Sequence, residues 1–205
     1  MQERISPNRM NLLNLRSRIA TAERGAGILG DKRGALVKEL MIVYKEVISE
    51  RYDLRDKMQD AASDLFYALG IEGREGVLSA AFAAKREVSV EVTERNVWGV
   101  RFPEIHHETM LRRIDDRGYA FMTISGTVDA TAKRFEILLD TLLMAASDES
   151  YMRRIGNEVR KTTRRINAIN EMIIPRLKEQ LLYISRALEE REREDVLRLK
   201  RLKKG

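Results

Sequence analysis

Apolar or small residues recur at alternating steps of three and four along Leu12, Leu15, Ile19, Ala22, Ala26, Leu29, Leu36, Leu40, Val43, Val47, Leu54, Met58, Ala61, Leu65 and Leu69. A period near 3.5 sustained this far predicts one narrow stripe on a single helix of roughly 60 residues, about 90 Å long. A helix of that length has no globular core to cover it, and sustained heptads wind left-handed around a partner. The chain carries a matching stripe at Ile166, Ile169 or Asn170, Ile173, Leu177, Leu181, Ile184 and Leu188. Beyond Leu188 charge alternates instead. Glu189 with Arg193 and Glu194 with Arg198 lie one turn apart and support a solvated helix by roughly 0.2–0.5 kcal/mol each.

A third of the 205 residues are charged, aromatics make up 6%, and only three prolines occur, which favours long helices over a loop-rich enzyme. Without cysteine, disulfides and thiolate metal sites are excluded. The N-terminus has no signal-like apolar run and no stretch of about 18 apolar residues occurs, so a soluble intracellular protein is expected. The net charge of +6 admits nucleic acid, anionic lipid or an acidic protein partner.

Ser6-Pro7 reads as a helix start. Gly70, Gly73 and Gly76 close the first helical stretch, and an alanine-rich piece follows from Leu78 to Lys85. The period then changes: Val88, Val90 and Val92 alternate with Glu87, Ser89 and Glu91, as in a half-exposed strand. Trp98 to Pro103 reads as a second extended piece, because Gly99 and Pro103 oppose helix. Asp115-Asp116-Arg117-Gly118 forms a turn, and Tyr119 to Ser125 is either a short strand or the return to helix. Helical spacing resumes near Asp129 through Phe135, Leu138, Leu142, Ala145, Met152, Ile155 and Val159, with capping residues for a break at Ser147 to Ser150.

The expected fold is therefore all-α dominated: a long antiparallel two-stranded left-handed coiled coil, or helical hairpin, with a small mixed α/β cap containing a short β-hairpin. Its parts are an N-terminal helix over 1–70, a cap over 71–127 and a C-terminal helix over 128–205. If Leu69 faces Val128, the numbers of facing residues total roughly 197, since both arms rise equally. Lys32-Arg33 then lies level with Arg164-Arg165, and Gly25, Gly27, Gly30 and Gly34 lie across from Thr162 to Glu171. Four helical glycines cost up to about 1 kcal/mol each relative to alanine, so this basic collar should be soft or tightly approached.

Gly25-Ala26-Gly27-Ile28-Leu29-Gly30 matches the letters of a dinucleotide fingerprint, but helical heptads precede it where a strand is needed, so small-residue helix packing is expected. His106-His107, flanked by Glu104 and Glu108, suggests a metal site. Adjacent side chains diverge too far for joint chelation, and a solvated loop is expected instead. No nucleophile, base and acid can be assembled around two histidines. Apolar spacing runs through Pro175 from Ile173 to Leu177, so a kinked but continuous helix is expected there.

Arg164-Arg165-Ile166-Asn167-Ala168-Ile169-Asn170-Glu171, then Ile174-Pro175, Tyr183-Ile184, Glu189-Glu190-Arg191-Glu192-Arg193 and Leu199-Lys200 follow a recognisable pattern. With Ile28-Leu29, Lys32-Arg33 and Leu36 near the start and Trp98-Gly99-Val100 with Pro103-Glu104 in the middle, the chain resembles the D subunit of the A-type and V-type rotary ATPases. Gly30 and Gly34 stand where the family pattern has lysine and aspartate, and Asn170 interrupts its N-A-L-E run. The resemblance implies a non-catalytic central-stalk rotor without cofactor or metal. Both termini would sit inside a ring of alternating A and B subunits, and the cap end would meet the F subunit and the socket-forming C subunit above the membrane ring. It further implies ring contacts from Lys32, Arg33, Arg164, Arg165, Asn167, Asn170 and Glu171, a helix kink at Pro175 and socket contacts from Trp98 and Phe102. Such a protein is peripheral, on the cytoplasmic face, with neither membrane insertion nor nucleic acid. The alternative is a coiled-coil arm that binds nucleic acid or a client protein, for which Arg164-Arg165 and Lys200 to Lys204 are the candidate contacts.

Overall fold

A computed structural model describes residues 6–119 and 125–203. Helix α1 (Arg9–Ala83), strands β1 (Val90–Val97) and β2 (Val100–His107), a 3-10 turn (Ile114–Arg117), helix α2 (Gly126–Ala168), a π-helical turn (Ile169–Ile173) and helix α3 (Ile174–Leu202) follow in order. The chain divides into two compact units, one of residues 1–36 with 159–205 and the other of residues 37–158. The strand or helical return expected after Tyr119 falls on residues 120–124, outside the described residues, as does Lys204.

In the first unit the start of α1 packs antiparallel on α3. Leu15, Ile19, Leu177 and Ile184 form the buried seam, with Leu12, Leu181 and Leu188 against it. Arg9 pairs with Glu192 at 2.7 Å and Glu23 with Lys178 at 2.9 Å, within a turn of the facing register derived from equal helical rise. The cap of α1 is Asn8, whose Oδ1 accepts from the Asn11 N–H at 2.7 Å; Ser6, expected there, offers only its carbonyl to the Asn11 side chain.

The expected seam at Ile173 moves by one residue. Ile174 is buried, whereas Ile173 is 46% exposed. The Ile174 N–H donates to the Ile169 carbonyl, five residues back, so the turn before Pro175 holds one residue more than an α-turn. Pro175 cannot donate to the carbonyl four residues back. The wider turn accommodates that loss, and helix continues on both sides.

The second unit pairs residues 37–83 of α1 with the first part of α2, again antiparallel. Arg51 meets Glu149 at 2.8 Å, and the Lys57 ammonium donates to Thr141 Oγ1 at 3.0 Å. Val43, Val47, Ala61, Tyr151 and Ile155 are buried, but Met58 is 63% exposed, so the α1 stripe slips towards Lys57, Ala61 and Ala68. Helix does not stop at the glycine cluster: α1 turns a corner at Gly73 (φ 70, ψ 170) and reaches Ala83. A straight helix would hold Ala68 and Ala80 about 18 Å apart, yet both join one cluster with Val128, Val77 and Tyr119. Glycine is required at the corner because side chains rarely adopt that φ. No break interrupts α2 at Ser147 to Ser150.

β1 and β2 pair antiparallel in unbroken register from Val90 opposite His107 to Val97 opposite Val100. His106 and His107 thus lie in a strand, not the expected loop. His106 Nε2 lies 3.1 Å from Thr93 Oγ1, while His107 Nδ1 donates to the Glu108 carbonyl at 2.9 Å and lies 3.4 Å from Asp140.

Candidate functional site

The collar belongs to the first unit. Lys32 and Arg33 are half-buried, and Arg164, Arg165, Asn167, Asn170 and Glu171 are exposed. The register fixed by the Glu23–Lys178 pair brings Lys32-Arg33 within about a turn of Arg165. Leu36, Thr162 and Ile166 are the buried residues at this level, and the Thr162 hydroxyl is enclosed without a hydrogen-bond partner. Asn170 and Glu171 ride on the π-turn and Pro175 follows it. Close helix packing at the glycines does not occur. A Cβ at Gly25, Gly27, Gly30 or Gly34 would meet nothing within 4 Å, so these positions weaken α1 without a packing gain inside the chain. The fingerprint letters lie wholly within α1.

The β-hairpin belongs to the second unit. Its two-residue loop places Trp98 at φ 55 and Gly99 at φ 77, both left-handed as a type I′ turn demands. Glycine is usual there and tryptophan is not; Trp98 is nevertheless 60% exposed. Phe102 is 5% exposed and packs on Tyr151, ring centroids 4.0 Å apart. Phe102 thus anchors the hairpin on α2, whereas Trp98 offers its ring outward. Tyr151 donates to Glu39 at 2.9 Å, and burial, reinforced by that carboxylate, pushes its hydroxyl up to about 12. Ser147 Oγ accepts from the Ile105 N–H at 3.0 Å and Arg154 donates to the Arg101 carbonyl at 2.9 Å, completing the seat.

Sequence reasoning missed an ionic knot beneath the cap. The Arg117 side chain is 2% exposed and donates to Glu136 at 2.9 and 3.3 Å and to Asp129. Arg112 donates to Glu136 Oε1 at 2.8 Å and to the Ala84 carbonyl at 2.9 Å, closing the end of α1. Tyr119 adds a bond to Asp129 at 3.0 Å. Gly118 permits this approach, because a Cβ there would lie 2.6 Å from the Ala83 carbonyl oxygen. Burial would raise the Glu136 carboxyl, but hydrogen bonds from Arg117 and Arg112 outweigh it and hold the group below its ordinary value. Farther along α1, burial and the neighbouring acids Asp148 and Glu46 push the Glu50 carboxyl up to about 7. Among the described residues no group of three or more potential ligands could hold a metal, and no helix is long and apolar enough to cross a membrane.

The family model for the D subunit of ATP synthase matches residues 11–204. A relative from Pyrococcus abyssi, named as the D subunit of an A-type ATP synthase, is 39% identical over 98% of this chain and 94% of its own length. The protein of the same name from Thermococcus gammatolerans is 40% identical over 97% of this chain and 93% of its own. One from Anaeromyxobacter, named as the D subunit of a V-type ATP synthase, is 38% identical over 98% and 93%.

Proposed function

The chain belongs to the D-subunit family of the ATP synthases, and from that premise we propose that it is the central rotor shaft of an A/V-type rotary ATPase. It carries torque between a nucleotide-processing ring of A and B subunits and an ion-translocating membrane ring, and does no catalysis itself. The observation that carries this reading is that the family match runs the length of the helices, over residues 11–204, and is not confined to one short motif. Antiparallel helices tied by ion pairs such as Arg9–Glu192 and Arg51–Glu149 suit a part that must twist without coming apart. In this reading Lys32, Arg33, Arg164, Arg165, Asn167, Asn170 and Glu171 face the ring, and the basic members meet acidic ring loops. Trp98 contacts the socket-forming C subunit with Phe102 as its support, and the F subunit binds at the cap end. The protein works peripherally on the cytoplasmic face of the membrane.

Co-purification of the tagged full chain tests the reading. One copy per ring of A and B subunits is expected, with no ATP bound to the isolated chain. Salt-sensitive capture of RNA or DNA without ring subunits would favour the nucleic-acid arm instead. Replacing both Arg164 and Arg165 by alanine should leave the melting of the isolated chain unchanged, since both are exposed, and lower ATP-coupled rotation several-fold. Unaltered rotation would remove these two residues from the ring contact.

A further inference from the structure

The two edges of the β-hairpin are not alike. Ile105 sends its N–H away from β1, to Ser147 on α2. In an antiparallel pair the residue opposite an outward-pointing one also points outward, so Val92, opposite Ile105, directs its backbone groups away from β2. The alternation extends this to Glu94 and Asn96, opposite Pro103 and Arg101. Two observations agree independently: Pro103 has no N–H to give β1, and the Arg101 carbonyl points outward to Arg154. The outer edge of β2 is therefore closed by α2 side chains. Among the described residues no strand pairs with the outer edge of β1.

Open edges invite a further strand, and proteins blunt them with bulges, prolines or charged side chains, lysine above all. β1 has no bulge, proline or lysine and is guarded only by the charges of Glu91, Glu94 and Arg95: its sequence is Val-Glu-Val-Thr-Glu-Arg-Asn-Val, paired one-to-one along its whole length, and all but Thr93 and Val97 are exposed. Its charge selects the occupant. Arg95 is taken by Glu104 at 3.2 Å, while neither Glu91 nor Glu94 enters an ion pair among the described residues. Val90 and Val92 stand exposed on the same face as Glu94. We propose that β1 receives an extended strand from another protein of the assembly. That strand carries apolar side chains opposite Val90 and Val92 and a lysine or arginine opposite Glu94, with main-chain bonds to Val92, Glu94 and Asn96. The proposal rests on the chain's place in a multi-protein complex.

Residue-resolved amide hydrogen exchange, on the full chain alone and in the purified complex, tests it. The amides of Glu91, Thr93 and Arg95 are already bonded within the hairpin and should be protected in both samples. Those of Val92, Glu94 and Asn96 should exchange freely in the isolated chain and at least about tenfold more slowly in the complex. Even-numbered amides that stay fast in a complex containing the chain overturn the strand addition, whereas failure of the chain to enter a complex overturns the rotor reading instead. Val92→Pro removes one outward N–H and leaves the pairing to β2 intact. It should lower affinity for the complex at least tenfold with unchanged exchange at Thr93; undiminished affinity refutes the proposal. Glu94→Lys should weaken binding comparably by charge reversal, and an equal or tighter complex refutes the cationic occupant. A concentration-dependent dimer protected at the same three amides would assign the edge to a second copy and overturn the heterologous partner.

Discussion

Arg117 is the position where one substitution should do most damage. Its guanidinium, 2% exposed, holds Glu136, 7% exposed, and Asp129, 20% exposed. Removing one member of a buried pair typically costs 3–5 kcal/mol, because the remaining charge is stranded out of water. In Arg117→Ala, Glu136 keeps Arg112 and Asp129 keeps Tyr119, so the cost should fall near the lower limit, about 3 kcal/mol. That corresponds to roughly a hundredfold rise in local opening, read as faster amide exchange over residues 110–119. The Arg112 amide, which donates to Glu136 Oε2 at 3.1 Å, is the natural reporter. Exchange in the first unit should not change. A rise below about fivefold, or one spread evenly over the chain, would refute the knot as the clasp of the cap. The same knot sets an acid limit. Glu136 has a lowered folded value, so its contribution is complete above the unfolded carboxylate range and is lost as pH falls through the folded value.

Glu50 has the opposite sign. Its folded value is raised to about 7, so stability declines as pH rises from the unfolded carboxylate range to about 7 and the penalty persists above it. Glu50→Gln should therefore raise the urea midpoint at pH 8 and leave it nearly unchanged at pH 5; an equal gain at both would disprove the ionisation. Thr162→Val removes an enclosed hydroxyl that has no partner and should stabilise the first unit by about 1 kcal/mol, seen as a higher melting temperature. Gly27→Ala and Gly30→Ala, where a Cβ meets open space, should each raise the melting temperature through up to about 1 kcal/mol of helix propensity. Destabilisation would mean that α1 bends there in a way alanine cannot follow.

The helical arms and their facing register were legible because a stripe sustained over many heptads leaves few alternatives. The register also survived translation into ion pairs, as Arg9 with Glu192 and Arg51 with Glu149 show. What failed were places where a local departure is invisible to periodicity. Gly73 turns α1 without ending it, and the π-turn shifts the seam from Ile173 to Ile174. Ser147 looked like a helix cap and serves as a seat for β2. Binary patterning misled most at Phe135 and Glu136: the aromatic is exposed and the acid buried. A charged residue goes inside only when partners converge on it, and Arg112, Arg117 and Glu136 meet through a fold that their spacing does not announce. Small-residue packing was expected at the glycines of the collar, but open space surrounds them.

The surplus residue ahead of Pro175 also bears on how the gene can change length. Deleting any one position between Ile169 and Ile173 would anneal the turn into ordinary helix of the same sweep, so that Ile174 falls one heptad after Ile166 and everything on to Leu202 keeps its phase. Leu177 and Ile184 would stay in the seam together. Single-codon losses there should be tolerated better than losses within the heptads themselves, just as the charged stretch after Glu192 can shorten at its end without disturbing any phase.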